Sequence, residues 1–217
     1  MIFTVPELAA LNSISGGGVL PGIRLAVPEF STHAELWASV HDSLKEKNIV
    51  GSSGHLTEFG VVPVQAIRIY RTAAKHAFLG RARVSCHRDG SVTMLSPSGN
   101  DWQVIHTAKE ALMVGLLTRF PFLCGASNAS EHPGAWESMS YEAWVDTVME
   151  FGPENLLIAN GMSRGMPPTD LMAYGLSRGK GYEYNMSRAR GRQRPVHDIR
   201  VTVAGLIGVE EGGSDGI

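Results

Sequence analysis

The chain has 217 residues, 43% of them hydrophobic and 18% charged, with a formal net charge of −2 and a pI near 6.4. That length suits one large domain or two small ones, and the apolar share excludes disorder along the whole chain. The faint acidity argues against a dedicated nucleic-acid binder, which is usually basic.

Thr4-Val5-Pro6-Glu7 carries the Thr-x-x-Glu spacing of a capping box with proline in the first turn, and predicts a short helix ending near Gly16-Gly17-Gly18. GIRLAV, Gly22 to Val27, alternates as a strand closed by Pro28. Ser31 or Thr32 starts the next helix, with Leu36, Trp37, Val40 and Leu44 on its apolar face. HLTEFGVV adds at most two further turns. From Val64 the period changes to two, so VQAIRIYR reads as a strand, and TAAKHAFLG, Thr72 to Gly80, as the loop after it. RARVSCH places Ala82, Val84 and Cys86 on one face; RDGS, Arg88 to Ser91, is a tight hairpin; SVTML and DWQVIH follow around SPSGN. These strands form an antiparallel meander.

Thr107-Ala108-Lys109-Glu110 is a second capping-box spacing, launching a helix through Leu112, Leu116 and Leu117 that halts near Pro121. LCGASNASEHPGAWE is rich in small and polar residues and reads as a connecting loop. Three helical pieces come next: SYEAWVDTVMEF, with Trp144, Val145, Val148 and Met149 on one face, then PENLLIANG, then PPTDLMAYGLS. Tyr182, Tyr184 and Met186 alternate, as do Ile199, Val201 and Val203, so the last part reads as two strands around the charged tip SRARGRQRP, with Gly191 at the turn. EEGGSDGI closes the chain and is expected to fray. The order of elements is that of an α+β fold with mostly antiparallel pairing. It divides into an N-terminal subdomain over 1–122, a connecting loop over 123–137 and a C-terminal subdomain over 138–217.

The chemistry-bearing residues do not assemble into a known catalytic or metal motif. Gly16-Gly17-Gly18 with Gly22 has a helix before it and a strand after it, the reverse of a phosphate loop or dinucleotide fingerprint. Cys86 and His87 are adjacent on a strand and point to opposite faces, and with Cys124 and His132 they lack the close pairs of a zinc site. Cys86 therefore reads as a small core residue. Glu142, Asp146 and Glu150 recur every four residues, the spacing of a solvated helix face. No metal, cofactor or catalytic residue is expected, although a small enzyme could still converge its site from scattered histidines and aspartates. Two cysteines make no disulfide framework, the N-terminus lacks the pattern of a secretory signal, and no run approaches the ~18 apolar residues of a membrane span. The expectation is a reduced, cytoplasmic protein.

Arg178, Arg188, Arg190, Arg192, Arg194 and Arg200 cluster around the last hairpin. Charge at a hairpin tip protects edges and aids solubility. The alternative is a nucleic-acid-associated protein using this arginine-rich hairpin over 178–200.

The order of phrases resembles the EspG family, the cytosolic chaperones of mycobacterial type VII secretion. The resembling stretches are Pro21-Gly22-Ile23-Arg24-Leu25, the helix end from Leu44 to Val50 with Asn48 where glycine is usual, Ile67 to Arg71, and Arg81 to Val84 running through Arg88-Asp89-Gly90 to Leu95. Tyr182-Glu183-Tyr184 and the ending Val209 to Ile217 continue the pattern. Two departures are visible: Ile217 stands where an arginine is usual, and the chain ends before the further strand and helix of family members. The resemblance implies a two-subdomain α+β fold with a mostly antiparallel sheet and packed helices in each, no catalysis and no cofactor. It also implies a helical secreted client, a PE–PPE heterodimer whose apolar tip the chaperone covers and which it directs to one secretion system. By position, the contacts it implies fall on the loop with Thr72, Ala73, Ala74, Lys75, His76, Phe78 and Leu79, and on the second sheet with Arg188, Arg190 and Arg192.

Overall fold

The first capping box forms as its spacing predicts. The Glu7 N–H donates to Thr4 Oγ1 at 3.3 Å, and the Thr4 N–H donates to Glu7 Oε2 at 2.7 Å. The computed structural model describes residues 1–27, 33–125, 132–148 and 156–209. The described elements are β1 (Ile2–Phe3), α1 (Val5–Ile14), α2 (Ala34–Glu46), α3 (Glu58–Thr72), β2 (Lys75–Leu79), β3 (Ala82–Cys86), β4 (Ser91–Ser98) and β5 (Asp101–Ala108). They continue as α4 (Lys109–Arg119), a 3-10 turn (Pro121–Cys124), β6 (Glu137–Ser138), α5 (Tyr141–Val148), β7 (Leu157–Ser163), β8 (Met172–Ser177), β9 (Lys180–Asn185), β10 (Arg190–Gln193) and α6 (Val196–Leu206). Six helices and ten strands of antiparallel sheet make the α+β fold that the sequence predicts.

The chain divides into two compact units. Unit 1 takes Met1–Ala74, Arg81–Ser85 and Thr93–His106, and unit 2 takes Lys75–Gly80, Cys86–Val92 and Thr107–Ile217. The chain passes between them several times, so the division is not one cut along the sequence. Of the connecting loop expected over 123–137, residues 126–131 lie outside the described ones.

In unit 1 the strand order is β1-β5-β4-β3. Its core gathers Phe3, Leu8 and Leu11 with Val40, Leu44, Ile67, Tyr70, Leu95 and Val104. Leu36 and Trp37 pack on its margin, so the predicted face of α2 is the buried one. Ser31 and Thr32, expected to start α2, lie outside the described residues. Glu7 is held inside by Lys47 and Ser43, with Lys47 Nζ 2.7 Å from both carboxylate oxygens and the Ser43 hydroxyl 2.6 Å from Oε1.

Three expectations between Gly22 and Gly80 fail. Gly22 to Val27 is not a strand. Leu20-Pro21-Gly22-Ile23 is a tight turn in which the Ile23 N–H donates to Leu20 O at 3.0 Å, leaving only an isolated bridge between Leu20 and Ile23. Val64 to Arg71 is not a strand either but most of α3. Thr57 caps this helix by accepting from the Gly60 N–H at 2.9 Å, and the buried positions Gly60, Pro63, Val64, Ile67 and Tyr70 recur at three and four. The β-branched residues that suggested a strand fill one helical face, and Pro63 within the helix is tolerated. The third error is the expected loop at 72–80. Thr72 ends α3, and Lys75 to Leu79 form β2.

In unit 2 the order is β2-β7-β8-β9-β10-β6. The RDGS hairpin forms as expected, with the His87 N–H on Ser91 O at 3.0 Å. The second capping box does not form. β5 runs on to Ala108, which becomes the N-cap of α4, and no side chain caps the helix. PENLLIANG and PPTDLMAYGLS, expected as helices, contribute β7 and β8, with residues 153–155 outside the described ones. β7 lies between β2 and β8, with Leu79 opposite Ala159 and Ala159 opposite Met172. A short apolar run inside a sheet cannot be told from a buried helical turn by period alone. α5 ends its described course at Val148, so Met149 of its predicted apolar face lies outside the described residues.

The expected final hairpin is also corrected. Tyr182 and Tyr184 do lie on β9, but Ile199, Val201 and Val203 belong to α6, where Val196, Ile199, Val203 and Ala204 are buried at helical spacing and Val201 is exposed. Gly191 is not at the turn. The turn lies at 186–189, where Ala189 takes a φ of 49°, and Gly191 sits inside β10. A Cβ at Gly191 would stand 2.8 Å from Met139 Sδ and 3.0 Å from Trp144 Cδ1, so the close approach of α5 requires glycine there.

Candidate functional site

Alternation along β9 puts Tyr182 and Tyr184 on one face and Glu183 on the other. Glu183 is 1% exposed and would be a buried, uncompensated charge without a partner. Register supplies two. Arg192 stands opposite Glu183 across the β9–β10 ladder, with Nε 2.5 Å from Oε1, and Arg194 brings Nη1 to 2.5 Å from Oε2. Arg194 also donates to Thr202 Oγ1 on α6 at 2.9 Å. The Arg192 guanidinium lies 4.4 Å from the ring centre of Trp136, the geometry of a cation–π contact.

The opposite face is aromatic. Trp144 of α5 stacks on Tyr141 at 6.0 Å and lies 5.6 Å from Tyr184, whose hydroxyl donates to Met139 O at 3.1 Å. Residues 134–139 run along β10, from the Gly134 N–H on Gln193 O at 2.9 Å to the Met139 N–H on Ala189 O at 3.2 Å. Between this stretch and α5 lies a cleft of about 380 Å³ lined by Ala135, Glu137, Met139, Trp144, Tyr182 and Gln193 among others. Trp144 Nε1 is buried without a hydrogen-bond acceptor.

Within unit 2, the two groups of residues expected to contact a partner lie on separate strands. His76 and Leu79 are buried in β2, Phe78 is half-buried, and Lys75 is exposed. In unit 1, Thr72 is exposed at the end of α3, followed by half-buried Ala73 and exposed Ala74. Arg188 in the turn and Arg190 at the start of β10 are exposed, and Arg188 pairs with Asp170 at 3.4 Å. β10 is four places from β2 in the strand order, about 19 Å at the usual strand spacing. Within the arginine cluster, Arg192 and Arg194 face the buried Glu183 carboxylate and Arg188 faces the half-exposed Asp170.

Sequence reasoning missed the cleft and a second surface. At the start of α3, Phe59 and Val62 are 52% and 59% exposed and border a shallow depression of about 550 Å³ with Asn48, Thr57 and Glu58. HLTEFGVV, expected to add at most two turns, instead opens the longer helix α3, on which Phe59 and Val62 share an exposed face.

Cys86 is half-buried, with Sγ 3.5 Å from Leu206 O, and burial pushes its thiol up to about 11 against the opposing charge of Lys75. Among the described residues no three His, Cys, Asp or Glu side chains group as a metal site, and no helix is long and apolar enough to cross a membrane. Glu142 and Asp146 are exposed on α5, a solvated face as their spacing predicts, while Glu150 lies outside the described residues.

A family model described as a domain of unknown function (DUF5081) matches residues 1–160. No curated protein matches the chain significantly. Among solved structures the chain is similar to the Mycobacterium tuberculosis type VII secretion system chaperone EspG5, determined in complex with the PE25-PPE41 dimer. That match has 12% identity and a TM-score of 0.53, and covers 98% of this chain and 97% of that one. At this identity the likeness is one of fold: the chain has an EspG-like fold.

Proposed function

The chain belongs to the DUF5081 family, and we propose that it is a non-enzymatic binding protein, a cytosolic chaperone that shields the apolar tip of a helical secreted client of the PE–PPE type and directs it to a type VII secretion system. The observation that carries this reading is the likeness to EspG5, a chaperone solved on its PE25-PPE41 client, over nearly the whole of both chains. Surface chemistry supports it. Phe59 and Val62 form an exposed apolar pair on α3, the kind of surface a protein partner covers. Lys75, Arg188 and Arg190 are exposed and suit steering of a client. Of the residues that the resemblance implies, Thr72, Ala73, Ala74, Lys75, Phe78, Arg188 and Arg190 are the ones a client can reach with no rearrangement. His76 and Leu79 support the surface from within, and the half-buried Arg192 is held by Glu183.

The test is co-expression with a PE–PPE heterodimer encoded in the same genome. The expected result is a soluble complex of chain and heterodimer by size-exclusion chromatography with light scattering, and aggregation of the heterodimer without the chain. Failure of every such heterodimer to form a complex or gain solubility would overturn the reading.

A further inference from the structure

Trp144 is 1% exposed, packs against Tyr141 and Tyr184, and borders the cleft beside β6. A buried N–H left without an acceptor has given up its bond to water for nothing, so such a group calls for an explanation. The cleft offers one. We propose that it is a peptide-binding site: an extended segment of another polypeptide places one apolar side chain in the cleft and a backbone carbonyl on Trp144 Nε1.

Four observations select this occupant. The volume of about 380 Å³ is at the lower end for ligand pockets, enough for one or two side chains and not for a folded element. The walls are mixed, with Ala135, Met139, Tyr182 and the indole beside Glu137 and Gln193, so an apolar group with a neutral acceptor fits. An anion does not, because Glu137 is in the wall and Arg192 is held by Glu183. The cleft also adjoins β6, the terminal strand of the unit 2 order, and strand edges recruit extended peptide.

Nε1 is buried in this structure. Met139 Sδ and Trp144 Cδ1, the carbon bonded to Nε1, lie over the same glycine, Gly191, and the unbranched Met139 thioether beside this indole edge changes rotamer readily. Ligand entry displaces this side chain. The site is independent of the chaperone reading, since it needs only a peptide and not a folded client.

The experiment is a titration of the full chain with N-acetyl-leucinamide, followed at the Trp144 indole N–H and at the Met139 methyl by NMR. A saturable shift of both signals is expected. Thr147→Trp, at an exposed α5 position lining the cleft, should abolish it with the circular dichroism spectrum unchanged. Trp144→Phe, followed at the Met139 methyl, should weaken it by roughly five- to tenfold, the loss of one hydrogen bond. Met139→Ala should tighten it. N-acetyl-glycinamide, which lacks the side chain, and N-acetyl-leucine, which adds a charge, should bind more weakly. Absence of a saturable shift in the wild type overturns the proposal. So does binding that survives Thr147→Trp, or tighter binding of the carboxylate than of the amide.

Discussion

Glu183 and Arg192 face each other directly across the β9–β10 ladder and are joined at 2.5 Å. The pair explains why an arginine-rich stretch can sit against an apolar sheet. Two guanidiniums converge on one buried carboxylate, and the charge that looked like an exposed tip is partly an internal clamp. Removing the carboxylate leaves two cations facing each other, whereas removing Arg192 leaves Arg194 to neutralise Glu183. Glu183→Ala should therefore cost about 3–5 kcal/mol, the scale of a broken buried ion pair, and Arg192→Ala distinctly less. Urea denaturation followed by circular dichroism measures both, and equal losses would show that the two arginines do not share the load.

Glu7 makes the N-terminal helix sensitive to acid. Burial pushes its carboxyl up, but hydrogen bonds from Lys47, Ser43 and the Thr4 backbone, with the Lys47 charge, outweigh it and hold the group below its ordinary value. A carboxyl lowered in the folded state stabilises the fold above its unfolded value, and that contribution is lost as pH falls through the folded one. The wild type should thus lose stability below about pH 4, and Glu7→Gln should be less stable at neutral pH with a flatter acid limb. Thermal melts between pH 3 and 7 test this. Parallel curves for the two proteins would remove Glu7 from the acid response.

The two thiols should separate cleanly in reactivity. At about 11, Cys86 carries far less thiolate than an ordinary cysteine, by roughly a hundredfold at a given pH. Cys124 is exposed. Iodoacetamide at pH 8 should modify Cys124 first and Cys86 only slowly in the native chain, with both reacting at similar rates in urea. Peptide mapping by mass spectrometry reads the order, and prompt native labelling of Cys86 would contradict its burial.

The sequence was most legible where a local signal and a period agreed. Thr4 with Glu7 forms its box because β1 ends at Phe3 and leaves Thr4 to cap α1, and RDGS turns because its geometry is set within four residues. Thr107 with Glu110 has the same spacing and forms no box, because β5 claims the backbone up to Ala108. Val64 to Arg71 and Val196 to Leu206 are rich in β-branched residues yet helical, since each buries one side at three- and four-residue intervals. Tertiary packing decided these segments over intrinsic preference. β7 and β8 needed knowledge of their neighbours in the sheet, which no window of one sequence contains. The cleft was hidden for the same reason: Met139, Trp144, Tyr182 and Gln193 come from separate elements.

Phe59 and Val62 separate the binding function from the fold. Both are more than half exposed, so a charge at either site loses little packing, and the stability change should stay within about 0.5 kcal/mol. On the chaperone reading, the same charge sits unpaired against the apolar surface of a client. Desolvating it should weaken the complex by about 1–3 kcal/mol per site, or roughly five- to hundredfold in Kd. Charge reversal at Arg188 or Arg190 should instead slow association modestly, and less so as salt rises. Surface plasmon resonance with an immobilised PE–PPE heterodimer distinguishes these effects. Phe59→Asp and Val62→Asp should raise the dissociation rate, while Arg188→Glu and Arg190→Glu should lower the association rate. Unchanged client binding in Phe59→Asp and Val62→Asp, with melts matching the wild type, would move the client surface away from the start of α3.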